Sequence, residues 1–116
     1  MKQEAFTMSL LLDYYGSLLT EKQRNYFDLY YNQDLSLAEI AEQEGISRQG
    51  VHDTINRTEA SLLQMEACIG CIGRSESIRK AADTIRHCAE TLLMHEDPTV
   101  RKNAESILSA VASVKE

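Results

Sequence analysis

The chain has 116 residues, of which 12 are basic and 18 acidic, and its formal net charge is −6. This length suits one domain with a core, or a small domain followed by a helical extension. The sequence contains no apolar run of about 18 residues and no signal-like N-terminal stretch, so we expect a cytoplasmic protein with no membrane partner. One proline, five glycines and the lack of an alternating β-branched run predict an all-α fold.

Two helices are predicted in the first third of the chain. The first runs from about Lys2 to Tyr15, and Gly16 ends it. A capping box of Thr20 and Gln23 starts the second helix, which continues to about Asn32. The apolar face of the first helix is predicted to carry Phe6, Leu10, Leu11 and Tyr14.

The segment from Leu35 to Arg57 has the spacing of a helix-turn-helix. A capping box of Ser36 and Glu39 predicts that its first helix begins at about Leu37. Gly45 takes the turn position, where a positive φ is needed, and Ser47 caps the second helix. The inward positions are apolar and are occupied by Leu37, Ile40, Ala41, Val51 and Ile55. Together with the two preceding helices, this motif predicts a four-helix N-terminal unit.

The outer face of the second motif helix is the surface that enters the major groove in DNA-binding proteins of this type. Asp53 projects from this face as well. An alternative is a helical hairpin used for protein contact or simply as core, because a fold alone does not determine a function. The candidate nucleic-acid-binding residues are Ser47, Arg48, Gln49, His52, Asn56 and Arg57.

The charge of the N-terminal part argues against a generic duplex binder. Residues 1–73 contain five basic and 11 acidic side chains, a balance of −6 that equals the net charge of the whole chain. Generic binders gain most of their affinity when Lys and Arg neutralise phosphates and release counterions. Any nucleic-acid binding is therefore expected to be local, weak or assisted by a partner.

Beyond the motif, no stop signal precedes Gly70, so the second motif helix is predicted to span about 23 residues. The segment Cys68–Gly73 marks a boundary, which predicts one domain at residues 1–67 and a helical extension at 68–116. Ser75 is expected to cap a fifth helix that continues to about His95, and Asp97 with Pro98 opens a sixth.

The fifth and sixth helices share one apolar pattern, with alternating steps of four and three residues. This pattern predicts an antiparallel hairpin whose apolar stripe is covered by the long preceding helix or by a second copy of the chain, and we favour a homodimer. The stripe consists of Ile78, Ala82, Ile85, Ala89 and Leu92 in one helix and of Val100, Ala104, Ile107, Val111 and Val114 in the other.

Charges in residues 74–116 balance, with seven basic and seven acidic side chains. Two basic pairs stand out, Arg79-Lys80 and Arg101-Lys102. We interpret them as solvated helix faces, since exposed charges normally do nothing specific, and contact with phosphate is the alternative.

Three cysteines raise the possibility of a metal or redox site. Cys68 and Cys71 with His87 and Cys88 could in principle form a tetrahedral zinc site. Adjacent residues on a helix point about 100° apart, however, which makes His87 and Cys88 poor joint ligands. We therefore predict no metal and no cofactor, with a redox pair of Cys68 and Cys71 as a further possibility.

Motifs for enzymatic chemistry are lacking. The sequence has no Gly-rich phosphate loop, no serine nucleophile elbow and no helix with a two-histidine metal signature. We predict a protein that is not an enzyme.

A known family resembles this chain between Leu10 and Arg57. The matching segments are DYYGSLLTEKQR, YFDLYY, DLSLAEIAE and ISRQGV. They are similar to the YlxM family of small bacterial helix-turn-helix proteins, which in turn resemble the fourth region of bacterial sigma factors. The resemblance implies a DNA-binding regulator. The usual position of the family's genes beside the signal recognition particle GTPase further implies a part in protein targeting.

Departures from the family pattern limit what the resemblance implies for single residues. Gly50 and His52 stand where the family commonly has Ala and Tyr, and glycine inside a helix costs about 1 kcal/mol relative to alanine. The chain from about Cys68 onward does not resemble the family pattern. The resemblance thus supports only Ser47, Arg48, Gln49, His52 and Asn56 as contacts.

Three functional hypotheses follow. The first is a regulatory adaptor of the signal recognition particle, in which Arg48, Gln49, Arg57 and the basic pairs touch its RNA or its GTPase. The second is a sequence-specific transcriptional regulator that binds duplex DNA with the same outer face. The third is an all-α protein-interaction module that never touches nucleic acid.

Overall fold

The computed structural model describes residues 4–114, which contain six α-helices and no strand, as the sequence predicts. A short 3-10 turn, Gly16–Leu18, follows the first helix. No helix in this part of the chain is long and apolar enough to cross a membrane. The chain divides into two compact units, Met1–Ile72 and Gly73–Glu116. The helices are α1 (Ala5–Tyr15), α2 (Glu21–Tyr31), α3 (Leu37–Glu44), α4 (Arg48–Ile69), α5 (Cys71–Leu92) and α6 (Pro98–Ala112).

Local caps start α2, α3 and α4 where the sequence predicts them. Ser36 Oγ accepts a hydrogen bond from Glu39 N at 3.1 Å, and the Glu39 side chain accepts from Ser36 N at 3.0 Å. The same reciprocal pair joins Thr20 and Gln23 at the start of α2. Such boxes satisfy amide groups that have no partner inside the helix, so they fix each start by local chemistry. Helix α1 begins at Ala5 rather than at about Lys2, because the Glu4 side chain caps it by accepting from Phe6 N and Thr7 N. Lys2 itself lies outside the described residues.

The first unit is built around α4, against which α1, α2 and α3 all pack. Each helix contributes large, fully buried apolar side chains to one core. The core therefore holds the first half of α4, which carries the candidate binding residues, from three sides. Its largest fully buried apolar side chains are Leu11, Phe27, Ile40, Val51 and Leu62.

The apolar face predicted for α1 is wrong in part, because Leu11 is buried but Phe6 and Tyr14 are exposed. Phe6 is 73% exposed and Tyr14 is 42% exposed, whereas Met8, Leu12 and Tyr15 are buried together with Leu11. The residues that are buried follow one another at i, i+3, i+4 and i+7, which keeps them on one side of a helix. Both sides of α1 are apolar, so periodicity alone did not identify the side that packs.

The predicted start of α5 at Ser75 is also wrong, because the helix begins at Cys71 and includes Gly73. Gly70 takes the left-handed conformation at φ 69° and ends α4 by itself. Tyr15 Oη then accepts a hydrogen bond from Cys71 N, and Glu66 Oε1 accepts one from Ile72 N, each at 3.1 Å. These side chains cap the first turn of α5, so one residue suffices to separate the two helices.

The second unit comprises most of α5 together with α6. Its buried side chains are small: Ala82 and Ala89 from α5, and Ala104 and Val111 from α6. Ala82 and Ala89 are seven residues apart in α5, and Ala104 and Val111 are seven residues apart in α6. Each helix of the predicted hairpin therefore buries one row of small side chains. Helix α5 ends at Leu92 rather than at His95, and Asp97 caps α6 by accepting a hydrogen bond from Thr99 N at 2.9 Å.

Candidate nucleic-acid interface

The turn between α3 and α4 has the geometry that the sequence predicts. Gly45 adopts φ 69° and ψ 32°, and Ile46 N donates to Ala41 O at 3.1 Å. A side chain at Gly45 would be strained by this backbone conformation, although nothing lies within 4 Å of the position. Ser47 then caps α4 by accepting from Gly50 N at 3.0 Å. The two helices of the motif are thus separated by a three-residue turn.

All six candidate residues are exposed on the N-terminal half of α4 or at its cap. The opposite side of this half-helix is buried, with Val51 at 0% and Ile55 at 3% exposure. Burial of one side fixes which side chains point outward. The outward set is Ser47, Arg48, Gln49, His52, Asn56 and Arg57.

Four side chains of this surface are linked to one another around Asp53. Gln49 Nε2 donates to Asp53 Oδ1 at 2.9 Å, and His52 Nδ1 lies 3.8 Å from the same oxygen. Asn56 Nδ2 lies 3.4 Å from the His52 ring nitrogens. The site residues predicted from the sequence leave out Asp53, although its i, i+4 spacing from Gln49 is a sequence signal for such a bond. A ligand that takes the Gln49 amide must replace this hydrogen bond.

Arg48 lies apart from that network. It lines an open groove of about 570 Å³ together with Tyr30, Glu39 and the start of α3. The hydrogen bonds from the Ser36 amide and hydroxyl lower the pKa of Glu39, which keeps this carboxylate ionised. The single arginine at the start of α4 therefore faces a groove that also carries negative charge.

Two threonines fix the backbone of α4 beneath the exposed surface. Thr54 Oγ1 donates to Gly50 O at 2.9 Å, and Thr58 Oγ1 donates to Thr54 O at 2.7 Å. Thr58 is completely buried. Its hydroxyl thus finds a partner inside its own helix, as a buried polar group requires.

Comparison with known proteins identifies the family. A family model described as "Putative helix-turn-helix protein, YlxM / p13 like" matches residues 2–96. The chain belongs to this family. It is 44% identical over 108 residues to a UPF0122 protein of Thermoanaerobacter sp. (strain X514), covering 92% of each chain. It is 38% identical over 109 residues to a UPF0122 protein of Desulforamulus reducens, covering 94% of this chain and 93% of the relative. A UPF0122 protein of Clostridium kluyveri is 51% identical over 78 residues, which are 67% of this chain and 70% of the relative.

The family match corrects one expectation. The chain after Cys68 was expected to depart from the family pattern, but the match continues to residue 96 and so includes all of α5. The hairpin therefore begins within the part shared with the family. The family description names a helix-turn-helix and no catalytic activity.

The basic residues of the hairpin are largely engaged in local contacts. Lys80 Nζ lies 3.3 Å from Glu76 Oε1, and Arg86 donates to Asp83 at 2.8 Å. Arg101 donates to the carbonyl oxygens of His95 and Glu96 at 2.9 and 2.8 Å, which closes the turn before α6. These contacts favour the interpretation of the basic pairs as solvated helix surfaces.

No disulfide bond joins the three cysteines, all of which lie among the described residues. Cys68 and Cys88 are exposed, and Cys71 is half-buried at the start of α5. Cys68 Sγ accepts a hydrogen bond from Gln64 Nε2 at 3.3 Å. Between residues 4 and 114, no three His, Cys, Asp or Glu side chains come together as a metal site would require. The structure does not bring His87 and the cysteines together into the zinc site considered from the sequence.

Proposed function

We propose that this member of the family is a cytoplasmic DNA-binding regulatory protein that reads the major groove with the N-terminal half of α4. The observation that carries the proposal is the exposed row of hydrogen-bonding side chains on a helix whose opposite side is buried in a four-helix core. The B-form major groove admits such a helix, and Gln and Asn form paired hydrogen bonds with adenine there. Gln49 and Asn56 are the proposed base-reading residues, and Arg48 and Arg57 are the proposed phosphate contacts.

The acidic balance of the first unit makes base contacts more important than phosphate contacts. Few cations are available to release counterions, so general affinity for duplexes is expected to be low. Homodimerisation would compensate for this low affinity, because it places two α4 helices on two half-sites of the DNA. We therefore propose a homodimer that binds a palindromic site.

A second candidate ligand is the RNA of the signal recognition particle, or its GTPase. The support is the resemblance of Leu10–Arg57 to a family whose genes stand beside that GTPase. The acidic balance favours a structured partner that contributes contacts of its own. The deep and narrow major groove of A-form RNA, however, does not admit an α-helix, which places duplex DNA first.

Selection from a library of random duplex DNA tests the proposal. We expect enrichment of a palindromic sequence with the natural chain and none with a Gln49→Ala/Asn56→Ala variant. Fluorescence anisotropy on the enriched duplex and on the particle's RNA, each at two salt concentrations, then ranks the two ligands. The logarithm of the affinity should fall by about 0.9 for each contacted phosphate per logarithm of salt on DNA.

Matched arginine variants sharpen the same experiment. Arg48→Ala should weaken DNA binding about tenfold and reduce the salt slope by about one. Arg79→Ala, which removes the same charge from the exposed surface of α5, should leave both values unchanged. Equal losses in the two variants would contradict a specific site on α4. No binding to either nucleic acid would favour the protein-interaction module instead.

A further inference from the structure

Large apolar side chains remain uncovered along one side of the hairpin. On α5 they are Ile78, Ile85 and Leu92, each seven residues from the next. On α6 they are Ile107 and Val114, with the same spacing. All five are between 37% and 48% exposed. We call this set the apolar face of the hairpin.

Both rows lie on the same side of the hairpin. In α5 the exposed row is turned by about 50° around the helix axis from the buried Ala82 and Ala89. In α6 the exposed row is turned by about the same angle, in the same sense, from Ala104 and Val111. Because two antiparallel helices face each other, equal turns in the same sense bring both rows to one side of the plane of the two axes.

Charged side chains are absent from this side over most of its length. At 100° per residue, every charged residue of α5 from Glu76 to Glu90 falls on the opposite side of the helix. Arg101, Lys102 and Glu105 do the same on α6. The edges of the apolar face are exposed small or uncharged residues, namely Ala81, Thr84, Cys88, Asn103, Ser106 and Ala110.

The distribution of charge indicates what covers this face. Residues 1–73 carry the whole net charge of −6, so two copies of the N-terminal part repel each other. Residues 74–116 are neutral, and two copies can approach there without that repulsion. An acidic or basic partner, in contrast, would meet no opposite charge on the apolar face.

We propose that the apolar face of the hairpin binds the same face of a second copy, which gives a four-helix bundle around a two-fold axis. In such a bundle the rows of isoleucine, leucine and valine would fill the layers between the two hairpins. The proposal rests on the homodimer of the proposed function, and it does not depend on nucleic acid.

Light scattering coupled to size-exclusion chromatography tests the proposal on the full chain. At about 100 µM, a typical working concentration far above a micromolar dissociation constant, we expect a molar mass of twice the chain's 13.1 kDa. Ile85→Glu and Ile107→Glu should each give the mass of one chain, because each places a charge in the apolar face. Circular dichroism checks that each variant keeps its helices.

Two control variants place the same charge elsewhere. His87→Glu changes an exposed residue on the other side of α5, and Phe6→Glu changes the most exposed aromatic side chain of the first unit. Both should remain dimers. Loss of the dimer in Phe6→Glu but not in Ile85→Glu would move the interface to α1 and overturn the proposal.

The remaining outcomes separate the interface from the homodimer. A natural chain with the mass of one copy would overturn both. A dimer that persists in the two glutamate variants would overturn this interface and leave the homodimer in place. If a glutamate variant loses helicity, Ile85→Ala/Ile107→Ala replaces it, with an expected rise in the dissociation constant of at least tenfold. An unchanged constant in that variant would overturn the proposal.

Discussion

The two units of this chain bury their apolar side chains to different degrees. The helix-turn-helix unit encloses large residues completely, including Phe27, Ile40 and Leu62. The hairpin buries only three alanines and Val111, and it leaves its isoleucines and Leu92 partly exposed. The first unit therefore has a complete hydrophobic core of its own, whereas the large apolar side chains of the hairpin are not enclosed. The large buried core thus lies in the first unit, and the proposed association lies in the hairpin.

Phe27→Ala is expected to have the largest effect on this comparison. The Phe27 ring is fully buried and lies 4.6 Å from the Tyr31 ring, centroid to centroid. Truncation of such a ring costs about 3–5 kcal/mol, a large share of the stability of a small unit. Urea denaturation followed by circular dichroism measures the loss. The exposed counterpart Ile85→Ala should cost less than about 1 kcal/mol at concentrations where the chain is monomeric. Equal losses in both variants would remove the contrast between the units.

Ala104→Leu tests how tightly the buried side of α6 is packed. Ala104 is 0% exposed, so a larger side chain there must displace its neighbours at a cost of about 1–3 kcal/mol. Hydrogen exchange in α5 and α6 should become faster, while exchange in α4 should stay unchanged. Ser109→Leu, at an exposed position of the same helix, is the control. Unchanged exchange in Ala104→Leu would show that the hairpin is not held by close packing.

High pH is expected to weaken the junction between α4 and α5. Burial, and the hydrogen bond that its hydroxyl donates to Glu66, raise the pKa of Tyr15 from 10.0 to about 12. A pKa raised in the folded chain means that the protonated hydroxyl stabilises the fold below about pH 10 and that this contribution is lost between pH 10 and 12. The natural chain should be more stable than Tyr15→Phe at pH 7. The difference should shrink in urea titrations at pH 11, and a constant difference would contradict this account.

Gly50→Ala has the smallest expected effect. Alanine is favoured over glycine in a helix by about 1 kcal/mol, but a Cβ at this position would lie 3.2 Å from the Ser47 Oγ that caps α4. We expect a net gain of about 0.5 kcal/mol in the free energy of unfolding. In a Ser47→Ala background the close contact between the new Cβ and Ser47 Oγ is absent, so the gain in the free energy of unfolding should be larger. Equal gains in the two backgrounds, measured as a double-mutant cycle, would mean that the contact has no cost.

The features predicted correctly from the sequence are those decided by neighbouring residues. The caps concerned act on backbone groups within four residues, and they are formed by Ser36 with Glu39, Gly45, Ser47 and Asp97. A cap of this kind is determined by neighbouring residues. The bounds of α3 and the starts of α4 and α6 can therefore be predicted from the local sequence. The outward direction of the α4 residues follows in turn from the inward positions of Val51 and Ile55.

The features that were missed depend on distant residues. The start of α5 is set by Tyr15, which is 56 residues before Cys71, and no local pattern contains that information. The packing side of α1 depends on which of two apolar sides meets α2 and α4. The hydrogen bonds around Asp53 depend on side-chain rotamers. The i, i+4 spacing in the sequence allows these rotamers but does not determine them.

The position of the apolar face late in the chain has a consequence for synthesis. Ribosomes add about 5–20 residues per second, so the helix-turn-helix unit leaves the ribosome seconds before the last turn of α6. The uncovered isoleucines therefore emerge on a chain whose first half has already had time to fold. Two copies that met through the proposed interface would do so after their helix-turn-helix units have had time to fold, which would limit the opportunity for misassembly.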